Sequence, residues 1–314
     1  MIERIPARDG YGKALMELAE KRKDVIVLDA DVSKSTRTNW VEGKSPEHFL
    51  NMGISEQDMV GTASGLSLGG MIPFVATYGV FLSGRAWDQI RTTVCYNNLN
   101  VKFGGAHAGI SVGPDGATHQ ALEDMAIMRV LPNMKLIAPC DAIETKKATL
   151  AAANIEGPVY IRFGREAIPV ITDEDTPFIF GKANVLKDGT DVAIIACGAM
   201  VYEALEAEKT LKEKGISAMV INLHTIKPID TETILMAAKK CGCIVTAEEH
   251  QMAGGMGSAV AEVLSQNCST PMNIVGVEDT FGESGEPQEL MDKYGLNADA
   301  IVSAALSVLK KKAK

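Results

Sequence analysis

Short apolar runs alternate along this chain with longer segments in which apolar residues recur every three or four positions. Val25 to Ala30, Ile72 to Ala76, Val101 to Gly104, Lys135 to Ala138 and Val159 to Phe163 have the length and composition of buried strands, with helical patterns between them. That alternation predicts βα units and a mostly parallel sheet. Between Arg165 and Val185 the pattern lapses into Pro169, Pro177 and the acidic run Asp173 to Asp175, which reads as a surface linker. A second alternation follows, with strands expected at Val192 to Cys197, Ala218 to Asn222, Cys243 to Glu248 and Ile274 to Val277. The expectation is an α/β protein of two domains, 1–168 and a smaller 185–314, joined by a linker over 169–184.

Composition supports this outline and removes several classes of function. The chain has 314 residues, 46% hydrophobic and 23% charged, which is ordinary globular usage and predicts about two domains. Its longest apolar stretches, such as Val192 to Cys197, fall far short of the roughly 18 residues needed to cross a bilayer. The amino terminus, Met1-Ile-Glu-Arg, carries charge where a secretory signal needs an apolar core. A cytoplasmic protein with no membrane partner is expected. Six cysteines are scattered, and the close pair Cys241 and Cys243 has no second pair or histidine at zinc-binding spacing, so structural thiols are expected and no metal site is assigned. A net charge of −9 speaks against nucleic acid as a partner, and an anionic substrate would need cations gathered locally. The basic tail from Leu309 to Lys314 reads as a solvated helix end.

Candidate chemistry concentrates in loops. His107 to Gln120 places two imidazoles, one carboxylate and three glycines in a stretch with no amphipathic period. A short buried strand over Leu99 to Phe103 and a helix over Gln120 to Val130 are expected to flank it, which puts the loop at the carboxyl end of a strand, where open α/β sheets bind ligands. The alternative is a solvated glycine loop whose histidines satisfy their own neighbours. Upstream, Asn51-Met-Gly-Ile-Ser-Glu56 leads into a helix rich in small residues, where Glu56 serves either chemistry or the helix amino terminus. Tyr78 and Phe81 follow another strand end, either as core packing or as the wall of a site.

These segments together resemble the transketolase family of thiamine diphosphate enzymes, over nearly the full chain. The match runs through Arg8, Asp31-Val-Ser-Lys-Ser35, Ile54-Ser-Glu56, Tyr78 with Phe81, His107 with Asp115 and His119, and Arg165. His224-Thr-Ile-Lys-Pro-Ile-Asp and Glu249-His-Gln-Met-Ala-Gly-Gly-Met-Gly extend it into the second half. The resemblance implies a pyrimidine-binding domain followed by the family's carboxyl-terminal domain. It gives Asp31, Glu56, Tyr78 and Phe81 to the cofactor, with Glu56 bonding the pyrimidine ring nitrogen and promoting the imino tautomer that deprotonates the thiazolium carbon. An acid in an apolar slot under an aromatic lid has its charged form disfavoured, which suits proton donation. The spacing after Phe81 differs by one residue from the single-chain pattern, so Tyr78 and Phe81 both remain candidates for the stacking partner.

The resemblance also gives Arg8, Ser35, His107 and Arg165 to the sugar phosphate, where an arginine fork suits phosphate oxygens. Asp115 is implied at the hydroxyl beside the acceptor aldehyde, and His119 at the donor's hydroxyl and carbonyl as a second catalytic group beside Glu56. Arg37 and Arg129 read as surface ion pairs, and Arg162 fits either a buried pair or the site. The family also needs a Gly-Asp-Gly motif and a following Asn to hold a divalent metal, Mg or Ca, on the diphosphate, and this sequence has no Gly-Asp-Gly. The expectation is half of an enzyme: the carboxyl-terminal subunit of a split transketolase, in an α2β2 heterotetramer with an amino-terminal diphosphate-binding subunit that holds the metal. It would move a two-carbon ketol unit between sugar phosphates. A β subunit of a 2-oxo acid dehydrogenase and a deoxyxylulose-phosphate synthase are the alternatives within enzymes, and a scaffold or a nucleotide-binding module on Gly254-Gly255-x-Gly257 the alternatives outside them.

Overall fold

The computed structural model describes residues 2–312. Its strands, in chain order, are β1 (Arg4–Pro6), β2 (Val25–Asp29), β3 (Phe49–Asn51), β4 (Ile72–Tyr78), β5 (Lys102–Ala106), β6 (Lys135–Ile137), β7 (Val159–Arg162), β8 (Ala167–Pro169), β9 (Asn184–Lys187), β10 (Val192–Ala196), β11 (Ala218–Asn222), β12 (Thr225–Lys227), β13 (Ile244–Gln251) and β14 (Met272–Val277). Seven form one sheet in the order β12-β6-β7-β5-β4-β2-β3, and five form a second in the order β14-β13-β10-β11-β9. Both sheets are parallel except for one antiparallel edge strand each, β12 and β9. Strands β2, β5, β10 and β11 are buried along their whole length, as continuous apolar runs are when both faces of a parallel sheet are covered. The expected α/β class with mostly parallel sheets is therefore correct.

Three expectations need correction. The strand before the histidine loop runs over Lys102–Ala106 rather than Leu99 to Phe103. Asn100 is drawn away from the strand line because its amide donates to Ser67 and its side chain accepts from the buried Lys102 ammonium, which also donates to the carbonyls of Ile155 and Gly157. The following helix covers only Asp124–Arg129. Residues 120–122 have other partners: Ala121 accepts from Gly109 N–H and Arg162, and Leu122 accepts from Gln251 N–H. The segment read as a surface linker begins inside β8, which pairs with β1, and Ile171 and Thr172 then donate to the buried Asp141 carboxylate.

The two sheets share packing. β12, from the second half of the chain, pairs antiparallel with β6 and completes the first sheet. Leu136 and Ala138 lie in the same buried apolar cluster as Leu223, Ile226 and Ile234. All six cysteines are free thiols and five are buried, in keeping with the structural reading. At the carboxyl end the helix Ala298–Lys312 closes on the second sheet, where Lys312 donates to the Cys241 carbonyl at 2.7 Å. The rest of the basic tail, Ala313 and Lys314, and the initial Met1 lie outside the described residues.

Candidate active site

The carboxyl ends of β2, β3, β4, β5 and β7 open on one edge of the seven-stranded sheet, and the segments leaving them carry the candidate side chains. Ser35 follows β2, Glu56 follows β3, Tyr78 ends β4, His107 follows β5 and Arg165 follows β7. Arg8 arrives from the first helix, Ala7–Lys21, and donates to the Ser35 carbonyl at 3.2 Å. The Tyr78 hydroxyl donates to Ser35 Oγ at 3.1 Å. Its ring stacks on His107 with centroids 4.2 Å apart and planes at 14°. His119 packs edge-on against both Tyr78 and Phe81, at 5.8 and 5.2 Å.

His107 is buried with φ +55, a conformation that costs free energy in any residue with a Cβ. Its Nδ1 is buried without a hydrogen-bond partner, and so is Arg8 Nε. Burial, with Arg8, Arg165 and Arg37 nearby, pushes the imidazole down to a pKa of about 3, so the ring is neutral at working pH. Burial also lowers the pKa of Arg8, with Arg37 and Arg165 adding to the effect. The result is a pocket of gathered cations within an acidic protein. Arg165 meets Asp115 at 3.2 Å and Glu166 at 3.4 Å, each side chain being about one third exposed.

Glu56 is the first residue of the helix Glu56–Leu68 and is 1% exposed. Its carboxylate does not face an apolar slot alone, as the sequence suggested. Arg85 donates to both oxygens, at 3.0 and 2.8 Å, and lays its guanidinium over the Phe81 ring at 4.6 Å. Arg85 escaped the sequence reading because a cation in a helix's last turn has an ordinary explanation in the helix dipole. A slot bounded by a buried carboxylate and an aromatic face, already holding a flat nitrogen-bearing donor, suits an aminopyrimidine ring. Asp31 is exposed with φ +63, and its described hydrogen bond is from Asn51. It is not joined to the Glu56 and Tyr78 group by a described contact.

The second half of the chain holds the histidine loop in place. Ser111 N–H donates to the buried Glu249 carboxylate at 2.6 Å, and Gln120 donates to the carbonyls of Ile110 and Glu283. Gly109 has φ +93, and a Cβ there would sit 2.2 Å from Glu249 Oε1. Arg162 is resolved as a buried pair: it meets both Asp124 oxygens at 3.0 Å and donates to the carbonyls of Ala121 and Glu249. Arg37 pairs with Asp9 and Arg129 with Glu262, as expected of ion pairs. The glycine cluster offers no nucleotide site, because the Glu248 carboxylate already accepts from Met256 and Gly257 N–H, where a phosphate would have to bind. Among the described residues no group of three or more His, Cys, Asp or Glu side chains is placed to hold a metal ion, and no helix is long and apolar enough to cross a membrane.

Two mostly parallel α/β units carry a buried glutamate and stacked aromatics at the strand ends of the first, an arrangement of the class found on the pyrimidine-binding side of thiamine diphosphate enzymes. Residues 3–170 match the family described as transketolase, pyrimidine binding domain, and residues 181–301 the one described as transketolase, C-terminal domain. The chain belongs to the transketolase family. A Methanocaldococcus jannaschii protein, provisionally described as a transketolase C-terminal section, is 46% identical over 97% of this chain and 96% of its own length. The 6-deoxy-6-sulfo-D-fructose transketolase subunit of a Clostridium species is 41% identical over 97% of this chain and 95% of its own length. A solved structure described as a split gene transketolase, inactive beta4 tetramer, superposes with a TM-score of 0.92 at 50% identity, covering 98% of this chain and 99% of that one.

Proposed function

We propose that this chain is the carboxyl-terminal subunit of a split, cytoplasmic transketolase, built as domains 1–168 and 185–314 and working with an amino-terminal diphosphate-binding subunit in an α2β2 heterotetramer. The reaction is transfer of a two-carbon ketol unit from a ketose phosphate to an aldose phosphate. The observation that carries this reading is the juxtaposition of the Glu56 and Phe81 slot with the cationic pocket of Arg8 and Arg165, bridged by Tyr78 and His107. A cofactor ring and an anionic sugar need those two environments side by side.

Thiamine diphosphate would be held on its pyrimidine side by Glu56, Phe81 and Tyr78 and would supply the carbanion chemistry for ketol transfer. Glu56 holds a proton against the ring nitrogen, Phe81 and Tyr78 wall the ring, and Asp31 contributes from the rim. Arg8, Arg165, Ser35 and the neutral His107 bind the phosphate, with the arginines bringing charge and the others directional hydrogen bonds. His119 orients the donor's hydroxyl and carbonyl, and Asp115 reads the acceptor's 2-hydroxyl. The diphosphate and its Mg or Ca ion fall to the partner, because this chain lacks Gly-Asp-Gly. Relatives of nearly the same length named as subunits or sections support a division at this point.

Reconstitution tests the proposal. The purified chain alone should show no ketol transfer, and activity should appear on adding the diphosphate-binding subunit, thiamine diphosphate and a divalent cation. Turnover by this chain unaided would defeat the split reading, and pyruvate oxidation without ketol transfer by the assembly would favour the dehydrogenase alternative.

A further inference from the structure

The Glu56 and Phe81 slot is filled by the chain's own Arg85. Its guanidinium is planar and cationic: one nitrogen, Nη1, donates to both Glu56 oxygens at 3.0 and 2.8 Å while the face of the group lies on Phe81. An aminopyrimidine protonated at the ring nitrogen that faces Glu56 would likewise offer one N–H to the carboxylate and a flat face to Phe81. Both cannot occupy the slot together. We propose that Arg85 is a resident stand-in for the cofactor ring, a gating residue whose departure from Glu56 and Phe81 precedes cofactor entry and sets the apparent cofactor affinity.

The inference rests on the thiamine reading above, and the local structure permits the motion it requires. Arg85 is the last residue of the helix Gly79–Arg85, and at Ala86 the backbone leaves helical geometry with φ −101 and ψ 12. Its side chain is 46% exposed whereas the Glu56 carboxylate it meets is 2% exposed, so Arg85 is the partner that can swing into water. In the closed form Arg85 covers Glu56, so a buried carboxylate is not stranded in most molecules of the free subunit. An ion pair half open to water favours its closed form by up to about fivefold, and apparent affinity falls by the fraction of molecules that are open.

The test compares wild type, Arg85→Ala and Arg85→Lys, each assembled with the diphosphate-binding subunit and Mg²⁺. Thiamine diphosphate is titrated against tryptophan fluorescence, with Trp87 two residues from the gate. Removal of the gate should tighten cofactor binding by roughly fivefold and speed its association, with lysine between the two because it keeps charge without the planar fork. Unchanged or weaker binding by Arg85→Ala overturns the proposal, since a residue that merely supports the site would weaken binding when removed. A second arm needs no cofactor. Acetamidinium chloride, a small planar amidine, should raise the melting temperature of the full-length Arg85→Ala chain over that in equal sodium chloride, and should leave wild type unmoved. Absence of that rescue rejects the slot as a seat for flat donors. If wild-type assembly binds no thiamine diphosphate while acetamidinium rescues the variant, the thiamine reading fails and the slot assignment stands.

Discussion

Single residues at this site divide by whether their partners are local or distant. Arg165 was legible as a phosphate candidate, and it sits in the cationic pocket, held by Asp115 and the Val112 carbonyl in the free chain. Arg165→Ala should raise KM for phosphorylated sugars by roughly 10- to 100-fold, the equivalent of one charge-assisted hydrogen bond. Hydroxypyruvate, which has no phosphate, should be nearly unaffected in the same assay, and an equal loss for both donors would mark the defect as structural. His107 carries a pH signature as well. Its folded pKa lies near 3, below the ordinary 6.5, so between those values the unfolded chain binds more protons than the folded one. Stability therefore rises with pH across that window and is lost as pH falls through it. Nuclear magnetic resonance titration of the imidazoles should find His107 neutral down to at least pH 5, and a midpoint near 6.5 would remove the burial argument. Arg85 was not legible, because its role depends on two side chains 29 and four positions away meeting in space.

At the scale of elements, the strands were read well and the irregular segments poorly. Period and apolar content reveal the longer buried strands, whose hydrogen bonds go to neighbouring strands of the same sheet. The early stretch of the expected helix from Gln120 failed because its backbone groups are taken by Gly109, Arg162 and Gln251, none of which is near in sequence. The same contacts make the histidine loop dependent on Glu249, which burial pushes to a higher pKa against the opposing Arg162 and Ser111 interactions. Gly109→Ala tests that dependence, since the position combines φ +93 with the close approach of Glu249. The variant should lose about 2 kcal/mol or more of stability in thermal or denaturant unfolding and raise KM for the sugar phosphate. Cofactor affinity should hold, because Glu56 and Phe81 reach the slot from other elements. Full retention of stability would show that the loop shifts freely away from Glu249.

For the whole molecule, the α/β class and the two alternating halves were visible in hydrophobic periodicity, while the interlocking of those halves was not. Thr225 to Lys227 is too short and too mixed to announce itself as a strand, and it is ordered by pairing along β6 rather than by its own composition. That pairing links residues about ninety positions apart. During synthesis, Lys135 to Ile137 therefore emerges from the ribosome long before the segment that covers it, and the nascent first half must wait with an open sheet edge. Such an edge invites pairing with any other extended chain. The order of translation thus makes the second half a guardian of the first, and a gene cut between the two units would deliver a fragment with an unprotected, adhesive margin.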